Sequence, residues 1–296
     1  MAPLSPWQVR NTTFDWTRTY LMGVLNVTPD SFSDGGRFDT LERAIAQAHK
    51  MVADGADILD IGGQSTRPDA ETVSLEEELR RVVPVVEALR AGNSEFAPLD
   101  VPTSVDTTRA AVAEAAIAAG ADMVNDVSGG TYETDMLPTV ARLEVPVFLM
   151  HLRGTPKTMQ KMTDYDDLID ELLRVLGARK MAAVTAGIRP DFVALDPGIG
   201  FAKTVDHNLE ILRRSREFQT LKCPILIGPS RKSFIGKVLN QPDPMDRVWG
   251  TGAACAAAIA GGAQVLRVHD VAEMAQVSRL SDAILRGWSD TAEEKA

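Results

Sequence analysis

Short apolar runs recur along the chain, and each gives way abruptly to a polar stretch rich in glycine, carboxylates or hydroxyls. The first, residues 21–25, passes at Asn26 into a loop carrying Thr28, Asp30, Ser31, Ser33, Asp34 and two glycines. A run of that length suits a buried strand, and the sudden polarity marks its end. Beyond the loop, Leu41, Ala44, Ile45, Ala48, Met51 and Val52 recur at helical spacing, so the unit reads strand, functional loop, helix.

The same unit returns at 58–61, 101–105, 121–124, 145–150, 192–195, 225–227 and 265–266. Ser74, with Glu77 three residues on, has the capping-box arrangement for a helix over 74–89, in which Pro84 is placed to introduce a kink. A helix of Ala, Val and Ile reaches Ala119, the longest periodic segment is 164–186, and another helix runs through Leu209 and Leu212. The small residues at 253–258 predict a close helix approach, against the barrel or a neighbouring subunit. Residues 1–20 fit no repeat; Trp7, Val9, Phe14 and Trp16 suggest a short strand pair closing the bottom of a barrel. Eight strands alternating with helices predict an α/β fold, a parallel sheet closed into a (β/α)8 TIM barrel. The rival is a doubly wound open sheet, but the loop at 26–36 lacks the GxGxxG order that often follows its first strand. We expect a single domain over 1–296, with the barrel at 20–287 and a loose tail at 288–296.

Composition narrows the function. At 296 residues with 45% hydrophobic content, one large core is affordable. Lys and Arg number 31 against 41 Asp and Glu, a net charge of −10, which argues against a reader of nucleic-acid backbones. An anionic ligand must be met by a few local cations or a metal. The two cysteines, Cys223 and Cys255, lack metal-ligand spacing, and no basic-then-apolar leader or 18-residue apolar span occurs, so no membrane association and a cytoplasmic location are expected.

In such barrels the carboxyl ends of the strands form the active face, and the polar clusters fall there. Asp106, Asn125, Asp196 and Lys232 come from four strands yet project towards one axis. Buried polar groups of this kind need a polar ligand or mutual pairing, and acceptors beside a cation suit a flat heterocycle carrying an amide and an amino group. The blander readings are a helix cap for each Asp taken alone and a structural ion-pair network for the set. Arg267 and His269 lie two apart and share a face, an arrangement that matches a phosphate. Ser230 to Ser233 opens a helix whose free N–H groups also favour anions, although Arg231 and Lys232 singly would pass for a solvated helix start. Asn26, Asp30 and Asp34 supply hard oxygens of the kind Mg²⁺ prefers, in a composition that equally suits a lid.

Eight segments together carry a resemblance: NVTPDSFSDGG at 26–36, DIGGQSTRP at 60–68, SVDT at 104–107, NDVSG at 125–129, MHLRGTP at 150–156, DPGIGFAK at 196–203, SRKS at 230–233 and RVHDV at 267–271. In order and number they resemble the dihydropteroate synthase family over about residues 20 to 286. The resemblance implies condensation of 4-aminobenzoate with (7,8-dihydropterin-6-yl)methyl diphosphate to 7,8-dihydropteroate and diphosphate, the sulfonamide-targeted step of folate synthesis, with Mg²⁺ as cofactor and a homodimer as assembly. It implies that Thr66, Asp106, Asn125, Asp196 and Lys232 bind the pterin, and that Asn26, Arg267 and His269 bind the diphosphate, with Asn26 also on Mg²⁺. Thr66, Arg67, Pro68, Phe201, Ser230 and Ser233 would surround 4-aminobenzoate. The chain departs from the family pattern at Gln64, commonly Glu, and Asp69, commonly Gly. Because diphosphate is a good leaving group and the aromatic amine a neutral nucleophile, ionisation before attack is expected and no general base is named. The rivals are a pterin-binding methyltransferase barrel working with a corrinoid partner, and an inactive pterin-binding protein.

Overall fold

The computed structural model describes residues 4–27, 37–65 and 72–288, and all that follows refers to these. An antiparallel pair, β1 (Trp7–Val9) and β2 (Thr12–Phe14), precedes the repeat. Then come β3 (Tyr20–Asn26), α1 (Arg37–Ala53), β4 (Ile58–Gly62), α2 (Leu75–Ala91), β5 (Thr103–Asp106), α3 (Ala110–Ala118), β6 (Met123–Asp126) and α4 (Met136–Leu143). The second half holds β7 (Val147–Met150), α5 (Leu168–Thr185), β8 (Val193–Asp196), α6 (Val205–Arg213), β9 (Leu226–Ile227), α7 (Ser233–Leu239), α8 (Val248–Ala260), β10 (Val265–Val268) and α9 (Val271–Arg286).

The eight strands β3 to β10 form one sheet whose pairings are all parallel, ordered β8-β7-β6-β5-β4-β3-β10-β9. A parallel bridge from Leu195 to Ile225, with the Leu195 N–H on the Pro224 carbonyl at 2.9 Å, joins the two ends and closes the barrel. All eight expected runs are therefore strands. Several begin later than the apolar runs do, because Pro102, Pro146 and Pro224 lack the N–H a ladder needs; their carbonyls still accept from Leu59, Val124 and Leu195. The expected cap is present: Ser74 Oγ accepts from the Glu77 N–H at 3.2 Å, and α2 runs without a break through Pro84. Helix α5 starts four residues later than its periodicity suggests, where Asp167 accepts from the Asp170 N–H and caps it.

Alternation divides the core in two. One set of strand residues, including Leu59, Ile61, Val105, Val124, Leu149 and Leu195, packs outward under the helices. The other set points inward at the amino ends of the strands: Tyr20, Met22, Ile58, Met123, Phe148, Ala194, Leu226 and Val265. The β1–β2 pair plugs that end, with Trp7 wholly buried against Phe148, at 5.7 Å between ring centroids, and edge-on to Trp16 at 5.0 Å. The indole N–H of Trp7 donates to the Asp191 carbonyl. Two glycines of α8 just before the 253–258 stretch allow close helix approach: a Cβ on Gly250 would meet Ile235 at 2.3 Å, and one on Gly252 would meet Val277 at 3.3 Å. Among the described residues, no helix is long and apolar enough to cross a membrane.

Because Trp7 fills the barrel floor far from the carboxyl rim, Trp7→Ala should lower unfolding free energy by about 3–5 kcal/mol in denaturant titrations. Ligand affinity of the folded fraction should be unchanged.

Candidate active site

Above the apolar floor the inward series turns polar. On β4 it runs Ile58, Asp60, Gly62; on β5, Ser104 then Asp106; on β10, Val265 then Arg267. Asn26, Gly62, Asp106 and Asn125 are register partners across four adjacent strands, so the strand ends themselves line up a carboxamide, a gap, a carboxylate and a second carboxamide. Gly62 provides the gap: a Cβ there would lie 3.7 Å from both Asn26 Oδ1 and Asp106 Oδ2.

Arg267 reaches across this level. Its Nε donates to Asp60 Oδ2 at 2.6 Å and its Nη2 to Asp106 Oδ2 at 2.6 Å, while Asn125 Nδ2 donates to the same Asp60 oxygen at 3.0 Å. Burial alone works against the guanidinium, but Asp60 and Asp106 outweigh it and hold its pKa above the ordinary value. Burial pushes the Asp106 carboxyl up to about 7, with Arg267 pulling the other way. Asp60 Oδ1 and Ser104 Oγ, on neighbouring register positions, are buried with no partner among the described residues.

Asp196 stands on the other side of the mouth. Burial raises its carboxyl to about 6, against the Gly198 N–H that donates to its Oδ1 at 2.7 Å and the charges of Lys232, Lys203 and Arg267. Gly198 is required there: its φ is +74°, and a Cβ would sit 2.2 Å from the His151 carbonyl. Lys232, the N-cap residue of α7, places its ammonium 4.0 Å from the centre of the Phe201 ring. Ser230 Oγ accepts from the His269 backbone N–H at 3.1 Å and lies 3.0 Å from His269 Nδ1. Burial, then the charges of Arg267, Arg231 and Lys232, lowers His269 to about 3, so the ring is neutral. In the tautomer in which Ser230 donates to Nδ1, the ring proton resides on Nε2 and can be donated to an anion.

Asn26, Asp106, Asn125, Asp196, Phe201, Ser230, Lys232, Arg267 and His269 thus all lie at or beyond the carboxyl ends of strands, where contacts join Arg267 to Asp106 and, through Asp60, to Asn125, Lys232 to Phe201, and Ser230 to His269. Ser233 is exposed at the first turn of α7. Arg231 is no solvated helix start: its guanidinium pairs with both oxygens of Asp270, one at 2.9 Å. Thr66, Arg67 and Pro68, with Asp69, Asp30 and Asp34, lie outside the described residues. Phe201 also lines a groove of about 430 Å³ with Gln64, Ser65 and Thr72, the described residues flanking that second loop. Sequence reasoning missed Asp60 as a site residue. The signal was present, since a carboxylate inside the apolar run ILDIG, two residues before the inward Gly62, must face inward and find a cation.

Fold and site define an α/β barrel whose mouth gathers carboxylates, carboxamides and cations at the carboxyl ends of its strands. A family model for pterin-binding enzymes matches residues 22–269. A dihydropteroate synthase from Synechocystis is 57% identical over 95% of this chain and 96% of its own length. Two structures of Xanthomonas albilineans dihydropteroate synthase superpose closely: one with 4-aminobenzoic acid (TM-score 0.85, 44% identity, 93% of this chain and 95% of that one), and one with 7,8-dihydropteroate (TM-score 0.84, 40% identity, 95% and 98%). The chain belongs to the dihydropteroate synthase family, transferases of folate biosynthesis that join a pterinylmethyl group to 4-aminobenzoate.

Removing Arg267 strands two buried carboxylates, so Arg267→Ala should cost about 3–5 kcal/mol of stability above pH 7. A carboxyl raised from 3.8 to about 7 on folding favours the fold most when protonated, and that contribution fades as pH rises through 7. The deficit of the variant should therefore shrink towards about pH 5, as denaturant unfolding at both pH values will show.

Proposed function

We propose that the diphosphate substrate seats its pterin against Asp106, Asn125, Asp196 and Lys232, with Thr66 nearby, and directs its diphosphate towards Asn26, Arg267 and His269. 4-Aminobenzoate then enters beside Phe201, Ser230 and Ser233, where the family pattern adds Thr66, Arg67 and Pro68. One observation carries this reading: carboxylates, a carboxamide and Arg267 from separate strands, with Lys232 from the start of α7, face the barrel mouth above an apolar floor. Ionised Asp106 and Asp196 accept from the pterin's N–H edges, while Asn125 and Lys232 meet its acceptors. The same two carboxylates stabilise positive charge that develops on the ring.

Arg267 and the Nε2–H of His269 meet the leaving diphosphate, so the C–O bond breaks with both electrons on oxygen. The remaining CH₂ centre is conjugated to the pterin, and the neutral amine adds to it, the resulting anilinium losing its proton to the departed diphosphate or to water. Phe201 and Ser230 position that amine, and no side chain is needed as a strong base. Asn26 would offer Mg²⁺ one hard oxygen ligand, alongside substrate phosphate and water. When bound, the ion screens the negative charge of the diphosphate.

We further propose a homodimer through the outer face of α9, where Leu280 and Ile284, four residues apart, are 64% and 72% exposed, with Trp288 just past the helix 73% exposed, next to an α8 whose Trp249 is 88% exposed. The free, buried Cys223 and Cys255 suit the reducing cytoplasm we propose as its location.

Diphosphate release measured without 4-aminobenzoate tests the order of events: slow cleavage is expected, and strict dependence on the amine would overturn ionisation before attack. Absence of dihydropteroate with both substrates present would overturn the function itself. Ile284→Glu should convert a dimer to a monomer in light scattering, and an unchanged mass would remove this face from the interface.

A further inference from the structure

Lys203 is the buried charge that the chemistry above leaves unused. It is 4% exposed, and its ammonium donates to the Phe201 carbonyl at 2.9 Å and lies 3.1 Å from His151 Nδ1. Neither partner is charged: burial first, then Lys203 and Arg153, lowers His151 to about 2, which leaves its ring a neutral acceptor. An ammonium whose hydrogen-bond partners are both neutral is costly to bury, and an apolar side chain of similar length would fill the space. The turn from Asp196 to Phe201 wraps around it. A Cβ on Gly198 would lie 3.4 Å from Lys203 Nζ, the Gly198 N–H donates to Asp196 Oδ1, and the His151 N–H donates to the Asp196 carbonyl at 2.8 Å.

We infer that Lys203 is a positioning residue for the pterin site: its buried ammonium clasps the 196–201 turn from beneath and supplies the positive charge that keeps Asp196 in the carboxylate form that accepts the pterin's N–H groups. The inference rests on the pterin reading of the pocket. Two consequences follow from one side chain. The bond to the Phe201 carbonyl fixes where the Phe201 ring meets Lys232, on the acceptor side, and the charge acts on Asp196, on the pterin side. The groups facing Asp196 are Lys232 from the start of α7, Arg267 from β10 and Lys203 itself; those facing Lys203 are Asp196, His151, Arg153, Lys232 and Glu171. Burial lowers Lys203 to about 7, so its charge is present in the range where Asp196 titrates and fades above it.

The test is calorimetric titration of 6-hydroxymethyl-7,8-dihydropterin into wild type, Lys203→Met and Lys203→Arg between about pH 5.5 and 7.5. Loss of the charge should move the acid limb of binding up by about half a unit to one unit, so K203M loses roughly 3- to 10-fold in affinity at the low end and little at the high end. K203R should keep the wild-type limb. An equal loss at every pH would mean a merely structural lysine and overturn the inference, as would an unmoved limb. If K203M does not fold, K203Q, which keeps a donor for the Phe201 carbonyl without the charge, carries the same comparison. A wild type that binds no pterin, or binds it without an acid limb, would instead overturn the pterin reading, so the two failures are separable.

Discussion

Alternation of side chains along a strand, imposed on eight parallel strands that close on themselves, is the constraint from which the rest descends. Every second residue must enter a common interior that is narrow enough to be filled by side chains. At the amino ends that interior is apolar and sealed by Trp7 and Phe14 of the β1–β2 pair. At the carboxyl ends the same inward positions carry Asp60, Asp106, Asn125, Asp196 and Arg267. The switch from apolar to polar takes one step of two residues, from Ile58 to Asp60 on β4 and from Val265 to Arg267 on β10. The site is thus the polar cap of the core, and its depth is set by where that switch falls on each strand.

Burying charge at such a switch is tolerable only if the charges answer one another. Arg267 meets two carboxylates and Asn125 meets one of them, which leaves the cluster one negative charge in excess when both acids are ionised. Burial lifts Asp106 and Asp196 towards neutrality, and a ligand that presents N–H donors or a developing cation is what lowers them again. The opposite shift on His269 serves the other half of the pocket: a neutral ring can donate one N–H without adding a further charge beside Arg267 and Lys232. Desolvation therefore acts in opposite directions on acids and imidazole, and both shifts prepare the same mouth for a polar, anionic substrate.

The fold was legible because its signal is repeated. Eight apolar runs ending in polar loops left little choice of architecture, and the errors were confined to ends: proline set the starts of β5, β7 and β9, and Asp167 set the start of α5. Asn26, Asp106, Asn125, Asp196 and Arg267 were legible for the same reason, since each stands at or next to the end of a strand. Asp60 was harder, as a single acid inside an apolar run looks like an interruption until strand parity is applied. Lys203 and His151 were out of reach. Lys203 stands seven residues beyond the end of β8 in a turn whose path no periodicity predicts, and only the folded 196–201 segment shows that its ammonium returns under Asp196. Residues on regular elements inherit their direction from the element, whereas residues on turns acquire theirs from contacts that the local sequence does not encode.

On the proposed assignment that distinction falls largely between the two substrates, with Lys232 the pterin contact that stands on a connection. Asn26, Asp106, Asn125, Asp196 and Arg267 sit on strands and are held by the ladder itself, so the heterocycle meets a pocket formed before it arrives. Phe201, Ser230 and Lys232 lie in connections, held by Lys203, by His269 and by stacking of an ammonium on a ring. A rigid subsite spends little ordering entropy on its ligand, whereas one built on connections must be assembled more fully at the moment of use. In the proposed order, with the leaving group departing before the nucleophile attacks, that division would place rigidity where charge develops first, and adaptability where the second molecule must approach an electrophile already formed.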